Sequence, residues 1–209
     1  HQTLARMETG QPNAMALGVV SQIVTQNVDR LHQQAGSRKV LELHGTTHEV
    51  ICTSCGDCFP RATMQGMLAE TNEELKSLAS RAESRGWGLV GWGEAYPVRP
   101  DGDVEVDARA VEVPACAKCG GVLKPDVVFF GDNVPKERAR RADQLVRQAG
   151  ALLVLGSSMR TFSAFRLALA AAESGVPIAM VNQGETRIDG MEGLVKLEEP
   201  VGPTMARLA

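Results

Sequence analysis

The sequence predicts an α/β fold, a parallel sheet with helices between its strands, interrupted by one smaller insertion. Three observations predict it. Short apolar runs alternate with helical stretches near both ends of the chain. Those runs end in Gly, Ser or Asn, as strand ends at a ligand crevice do. Residues 52–120 have a different texture, opening and closing on cysteine pairs.

Residues His1 to Glu8 read as a helix already under way, with no N-cap and no signal-peptide core, which predicts further sequence upstream. A long link, Gln11 to Val20, leads to a β-rich run at Ile23-Val24-Thr25. A helical stretch from Val28 to Ala35 and an apolar run from Val40 to Leu43 follow. Within 52–120 a polar helical piece, Glu73 to Ser84, precedes loop rich in Gly, Trp and Pro. From Val122 the α/β texture returns. Asp126 to Phe130 reads as a buried strand and Pro135 to Gln148 as a charged amphipathic helix. Ala151 to Leu155 is a second buried strand, ending in Gly156-Ser157-Ser158. A helix from Ser163 to Glu173 is broken by Gly175-Val176-Pro177, and Ile178 to Val181 is a strand ending at Asn182. The expected organisation is one α/β domain, 1–51 with 121–209, carrying the insertion 52–120.

Composition sets limits on function. Hydrophobic residues make up 44% of the 209 and aromatics only 4%, so the core must rest on Ala, Val and Leu. A net charge of -3 offers no basic footprint for nucleic acid. No apolar run reaches the roughly 20 residues of a membrane helix.

Cys52-x-x-Cys55 and Cys116-x-x-Cys119 are matched knuckles, each followed by glycine. A C-x-x-C turn aims two thiolates at one centre, and two such turns complete a tetrahedral zinc site. With four cysteines and no open position, that zinc is structural. Two disulfides or a redox pair are the competing reading, and a chain without a secretory signal disfavours the disulfides. Cys58 and His48 are expected to be bystanders. Gly86-Trp87-Gly88-Leu89-Val90-Gly91 fits G-x-G-x-x-G, yet no strand precedes it and no helix follows, so it is not read as a dinucleotide site.

Gln26, Asn27 and Asp29 lie just past the first strand, where amides and a carboxylate can grip ribose hydroxyls and a carboxamide. Asn and Asp also suit helix caps and turns, so both readings stay open here. His44 ends the Val40–Leu43 run and is followed by Gly45; a neutral imidazole at that place suits a general base.

The series Thr25-Gln26-Asn27-Val28-Asp29-x-Leu31-His32, Leu43-His44-Gly45, the two cysteine knuckles, Lys124-Pro125-Asp126-Val127-Val128-Phe129-Phe130-Gly131-Asp132 and Gly156-Ser157-Ser158 closely resembles the sirtuins, from about Gln22 to Gly202. Ser163-Ala164-Phe165-Arg166 is most similar to the class II, mitochondrial-type branch. The resemblance implies a Rossmann-like domain with an inserted zinc module, and NAD consumed as cosubstrate. It implies that acyl-lysine protein or peptide is deacylated, the acyl group passing to ADP-ribose with release of nicotinamide. His44 would be the base, with Asn27 and Asp29 catalytic beside it, and Gln26, Asn27, Val28 and Asp29 lining the ribose and nicotinamide pocket. Gly156, Ser157, Ser158, Asn182, Gln183, Gly184 and Val201 would hold the adenosine half. Val128 to Gly131 would pair with substrate peptide. The family's first strand, its Gly-Ala-Gly-type loop and its Pro-Asp-Phe-Arg loop are outside this sequence, so a fragment or an impaired chain is expected. A protein ADP-ribosyltransferase and a zinc-stabilised binding module are the alternatives. The implied location is the mitochondrial matrix in a eukaryote and the cytoplasm in a bacterium.

Overall fold

A computed structural model describes residues 1–10, 19–72 and 111–207. The chain divides into two compact units, His1–Thr46 with Val127–Ala209, and Thr47–Asp126. The elements run α1 (Gln2–Thr9), β1 (Ile23–Thr25), α2 (Leu31–Gln34), β2 (Val40–Glu42), β3 (Gly45–Cys52), β4 (Cys58–Pro60), α3 (Arg61–Thr71), β5 (Leu123–Val127), α4 (Lys136–Arg147), β6 (Leu152–Leu155), α5 (Phe162–Glu173), β7 (Ile178–Val181), β8 (Val195–Leu197) and α6 (Val201–Ala206).

The first unit holds two parallel sheets. In one, β1 pairs with β2, Ile23 opposite Val40 and Thr25 opposite Glu42. In the other, β7 lies between β6 and β8, parallel to both. Parallel strands need a crossover, and α5 supplies it between β6 and β7. The α/β reading is met, with helices between parallel strands and its core in Ala, Val, Leu, Ile and Met.

Alanine decides how the helices pack. Ala164, Ala168 and Ala171, at i, i+4 and i+7 on α5, are buried with Ala142 and Val146 of α4. Small side chains on such a stripe let two helix backbones approach closely. Arg147 ties their ends, bonding Asp143 at 2.8 Å and Glu173 at 2.9 Å. After α5, Gly175 takes φ +68° and Val176 N–H reaches back to the Ala171 carbonyl at 2.9 Å, so the helix stops where a left-handed glycine can close it.

The second unit is built on the sheet β4-β3-β5. Among the described residues its core is Val50, Cys52, Met64, Cys116 and Leu123, with Phe59, Met67 and Leu68 packed against it. Two of those five buried residues are cysteines, so a metal bound there would tie that core together.

Several elements differ from expectation. The strand expected at Asp126–Phe130 runs from Leu123 to Val127 and belongs to β5, an edge strand, which is where Pro125 can sit without breaking a ladder. Beyond it Phe130 is fully exposed and Phe129 is 52% exposed, because the chain turns at Gly131 (φ +93°) instead of entering a sheet. The helix expected from Val28 shrinks to Leu31–Gln34, since Arg30 has φ +58°. The β6 run is not buried throughout; Val154 faces the core and Leu153 faces out, as strand alternation requires. The helical piece Glu73–Ser84 and the Gly86–Gly91 pattern lie outside the described residues.

Candidate active site

Three strand ends converge. Gln26 follows β1, His44 comes two residues after β2, and Ser157 comes two residues after β6. The Gln26 side-chain amide donates to Ser157 Oγ at 2.9 Å. Its carbonyl oxygen accepts the Thr161 hydroxyl, also at 2.9 Å. Ser157 Oγ accepts Met159 N–H at 3.2 Å, which closes the turn after β6. His44 Nε2 lies 2.8 Å from Ser163 Oγ, at the start of α5. Burial pushes the His44 imidazole below its ordinary pKa; the Gln26 backbone carbonyl opposes this and the charge of Arg138 adds to it. At pH 7–8 the ring is therefore neutral.

The rest of the Thr25–Asp29 cluster makes local bonds. Asn27 N–H donates to Thr25 Oγ1 at 3.1 Å, and the Asn27 side chain is exposed. The Val28 carbonyl accepts the Thr46 hydroxyl at 3.4 Å. Asp29 Oδ1 accepts Leu31 N–H at 3.0 Å, so here it serves the turn into α2 as a capping carboxylate does. The structure thus joins Gln26 to Ser157 and Thr161, and His44 to Ser163, whereas Asn27 and Asp29 bond to their own loop and to α2.

Past β6 and β7 a second group gathers. Gly156 has φ +60°, and a Cβ there would stand 3.4 Å from a Val201 methyl, so these two predicted residues are neighbours. Asn182 is buried, and its amide donates to the Gln183 carbonyl at 2.9 Å; Gln183 itself is exposed. Gly184 has φ +79°; its N–H donates to the Glu198 carboxylate at 3.3 Å and its carbonyl accepts Lys196 Nζ at 2.8 Å. Lys196 also pairs with Asp189 at 3.0 Å. Thr186, by hydroxyl and N–H, then Lys196 hold the Asp189 carboxyl down at about 2. Sequence reasoning missed Lys196 and Glu198; the alternation Val195-Lys196-Leu197-Glu198 was the available signal for β8. Ser158 is exposed at the surface of the same turn, its carbonyl bonded to Arg187 N–H at 2.9 Å. A cleft of about 350 Å³ lies apart from these groups, between α1 and the end of α2, beside Arg6 and Arg38.

In the second unit Cys52, Cys55, Cys116 and Cys119 place their sulfurs within 4.8 Å of one another. Cys52 and Cys119 sulfurs are 3.5 Å apart, and those of Cys55 and Cys116 3.8 Å. A disulfide needs about 2.05 Å, whereas ligands about 2.3 Å from one tetrahedral zinc are about 3.8 Å apart. The donor set fits zinc. The two knuckles repeat one geometry: Gly56 N–H bonds to the Cys52 carbonyl at 3.0 Å, Gly120 N–H to the Cys116 carbonyl at 2.7 Å, both glycines left-handed. Backbone N–H groups of Cys55 and Ser54 help to pull the Cys52 thiol down to about 6, ready to bind as thiolate. Cys58 lies outside the four-sulfur cluster and bonds to Glu49 at 3.4 Å, and His48 is exposed.

Gly121 is where glycine is required. A Cβ there would stand 2.7 Å from Ser54 Cβ and 2.9 Å from Cys52 Sγ. Gly121→Ala should displace that sulfur at a cost of about 1–3 kcal/mol, weakening zinc by roughly tenfold or more in a chelator competition. Unchanged affinity would show that the knuckle yields without strain.

Comparison with known proteins agrees with this geometry. The Sir2 family description matches residues 1–163. The chain is 46% identical, along its whole length, to the NAD-dependent protein deacylase SRT2 of Arabidopsis thaliana, covering 54% of that protein. It is 43% identical to an NAD-dependent protein deacetylase of Xanthomonas campestris pv. campestris strain 8004, covering 64%. It thus spans about half to two thirds of these relatives. Among solved structures, "Sir2 bound to acetylated peptide" aligns over the whole chain and 67% of that one, with TM-score 0.70 and 29% identity. The converging strand ends, the paired knuckles and this match along the sequence place the chain in the Sir2 family.

Proposed function

We propose that this chain carries out NAD-dependent deacylation of lysine in proteins, releasing nicotinamide and moving the acyl group to ADP-ribose. The observation that carries the reading is His44, a neutral imidazole past the end of β2, beside Gln26 at the paired end of β1 and bonded to Ser163. Ligands of parallel α/β sheets bind at such ends, and the relatives named above are NAD-dependent protein deacylases or deacetylases.

NAD supplies an electrophilic ribose carbon once nicotinamide departs. Gln26 would orient the ribose and nicotinamide half, its amide already fixed by Ser157 and Thr161. Asn27, Val28 and Asp29 would complete that pocket, and on binding Asp29 would turn a carboxylate oxygen from its loop to the ligand. His44 would take the proton from a ribose hydroxyl, after the acyl oxygen has attacked the ribose carbon, so that the acyl group can pass to ADP-ribose. Gly156, Ser157, Ser158, Asn182, Gln183, Gly184 and Val201 would hold the adenosine half. Residues 1–51 and 121–209 are read as the NAD domain and 52–120 as the zinc module. Val128 to Gly131 would pair with the peptide, exchanging for it the bonds that Val128 N–H makes to the His44 carbonyl at 2.9 Å and Phe129 N–H to Asp132 Oδ2 at 3.4 Å. Residues 163–166 support the class II branch, and with it a mitochondrial matrix or bacterial cytoplasmic setting.

The test is mass spectrometry of an acyl-lysine peptide panel with labelled NAD and zinc-loaded protein. Acyl-ADP-ribose that disappears in His44→Ala supports the reading. Label fixed on protein would instead indicate ADP-ribosyl transfer. Folded, zinc-loaded protein that makes neither product ends the enzyme claim for this chain.

A further inference from the structure

Two hydroxyls at the start of α5 do not cap the helix. Thr161 is its N-cap residue, yet no side-chain cap bond forms, and the hydroxyl goes to Gln26 instead. Ser163, two residues on, places Oγ 2.8 Å from His44 Nε2. Thr and Ser at a helix start normally satisfy its free N–H groups. Here Thr161 forgoes that bond, and the two hydroxyls turn to Gln26 and to His44.

We propose that Ser163 couples His44 to its substrate: Oγ–H donates to Nε2 in the resting protein, and as Oγ takes the proton of a ribose hydroxyl its own proton passes to Nε2, whose N–H then donates back to Oγ. This rests on the reading of His44 as the base. Two contacts suit this. Ser163 Oγ lies 2.8 Å from Nε2, and the Gln26 backbone carbonyl favours the protonated ring. With Nε2 engaged by Ser163, a hydrogen on Nδ1 leaves Nε2 as the basic nitrogen. A hydroxyl can reverse its bond without moving, which a carbonyl or an ammonium cannot. When Nε2 becomes Nε2–H⁺, Ser163 Oγ accepts it in a charge-assisted bond about twice as strong as the neutral one.

Apart from the Gln26 carbonyl, the influences on the ring act against protonation. Burial and the charge of Arg138 on α4 both disfavour the imidazolium, and so does the positive end of α5. Ser163 is the side chain able to offset them at the moment the proton arrives. Its effect should therefore appear in the chemical step and not in binding.

The experiment compares Ser163→Ala and Ser163→Thr with the parent protein. Ser163→Ala should lower kcat about tenfold, as loss of one hydrogen bond of about 1–1.5 kcal/mol predicts, with KM for NAD and peptide within about twofold. Ser163→Thr, which keeps the hydroxyl, should restore kcat to within about twofold. Independently of any substrate, the His44 imidazole should titrate at lower pH in Ser163→Ala, by about half a unit or more on a nitrogen NMR titration, because an acceptor for the imidazolium is gone. An unmoved titration, or equal kcat in all three proteins, overturns the proposal. If the titration moves but His44→Ala keeps full activity, the contact stands and the base reading fails.

Discussion

Cys116→Ser should empty the zinc centre and unfold the Thr47–Asp126 unit. Zinc bound by four thiolates contributes an apparent 10–16 kcal/mol or so in small metal-dependent folds, far more than the few kcal/mol that a small core supplies. The described core of this unit has five buried residues, and Cys52 and Cys116 are two of them. Removing one ligand therefore strips both metal and packing. Metal analysis should fall from about one zinc per chain to near none, and limited proteolysis should cut inside 47–126. Cys58→Ser is the control, since Cys58 lies outside the four-sulfur cluster, and it should keep its zinc. Full zinc in Cys116→Ser would mean that other groups hold the metal.

The second large effect is on chemistry. His44→Ala should cost about 10²–10⁴ in kcat, the usual contribution of a positioned general base, while zinc content stays unchanged. The pH dependence follows from the sign of the shift. The neutral ring is the active form, so activity is lost as pH falls through the pKa of His44. Burial holds that pKa below its ordinary place near 6.5. The acid limb of kcat/KM, which reports the free protein, should therefore lie below about pH 6.5, with a plateau through pH 7–8. A limb above that value would contradict the burial of the ring, and a plateau that survives in His44→Ala would remove it from the mechanism.

The zinc ligands were legible in the sequence because C-x-x-C is a local turn. Its spacing sets the direction of both thiolates, and the same backbone bonds recur at Gly56 and Gly120. The parallel α/β core was legible too, because apolar runs such as Ile178–Val181 and the helix from Ser163 to Glu173 repeat with periods that nearby residues determine. Asp126–Phe130 misled for the same reason: its composition says strand, but only the partner available to it decides which residues pair, and β3 takes Leu123–Val127. Arg30, with φ +58° and a bond to Glu42 at 3.3 Å, shortens a helix that propensity alone extends to Val28.

His44, Gln26 and the Gly156-Ser157-Ser158 turn could be named one by one from motif and strand-end position. Their union could not. Gln26 and Ser157 are 131 positions apart and His44 and Ser163 are 119 apart, and contacts over such separations arise only when parallel strands bring their carboxyl ends together. Sequence alone picked out the four cysteines and His44 as the candidates for metal and acid–base chemistry, because those traits belong to side-chain type and short spacing. The tertiary structure alone decided which hydroxyl touches His44, and that Thr161 gives its capping bond to Gln26, because those choices depend on where α5 begins in space.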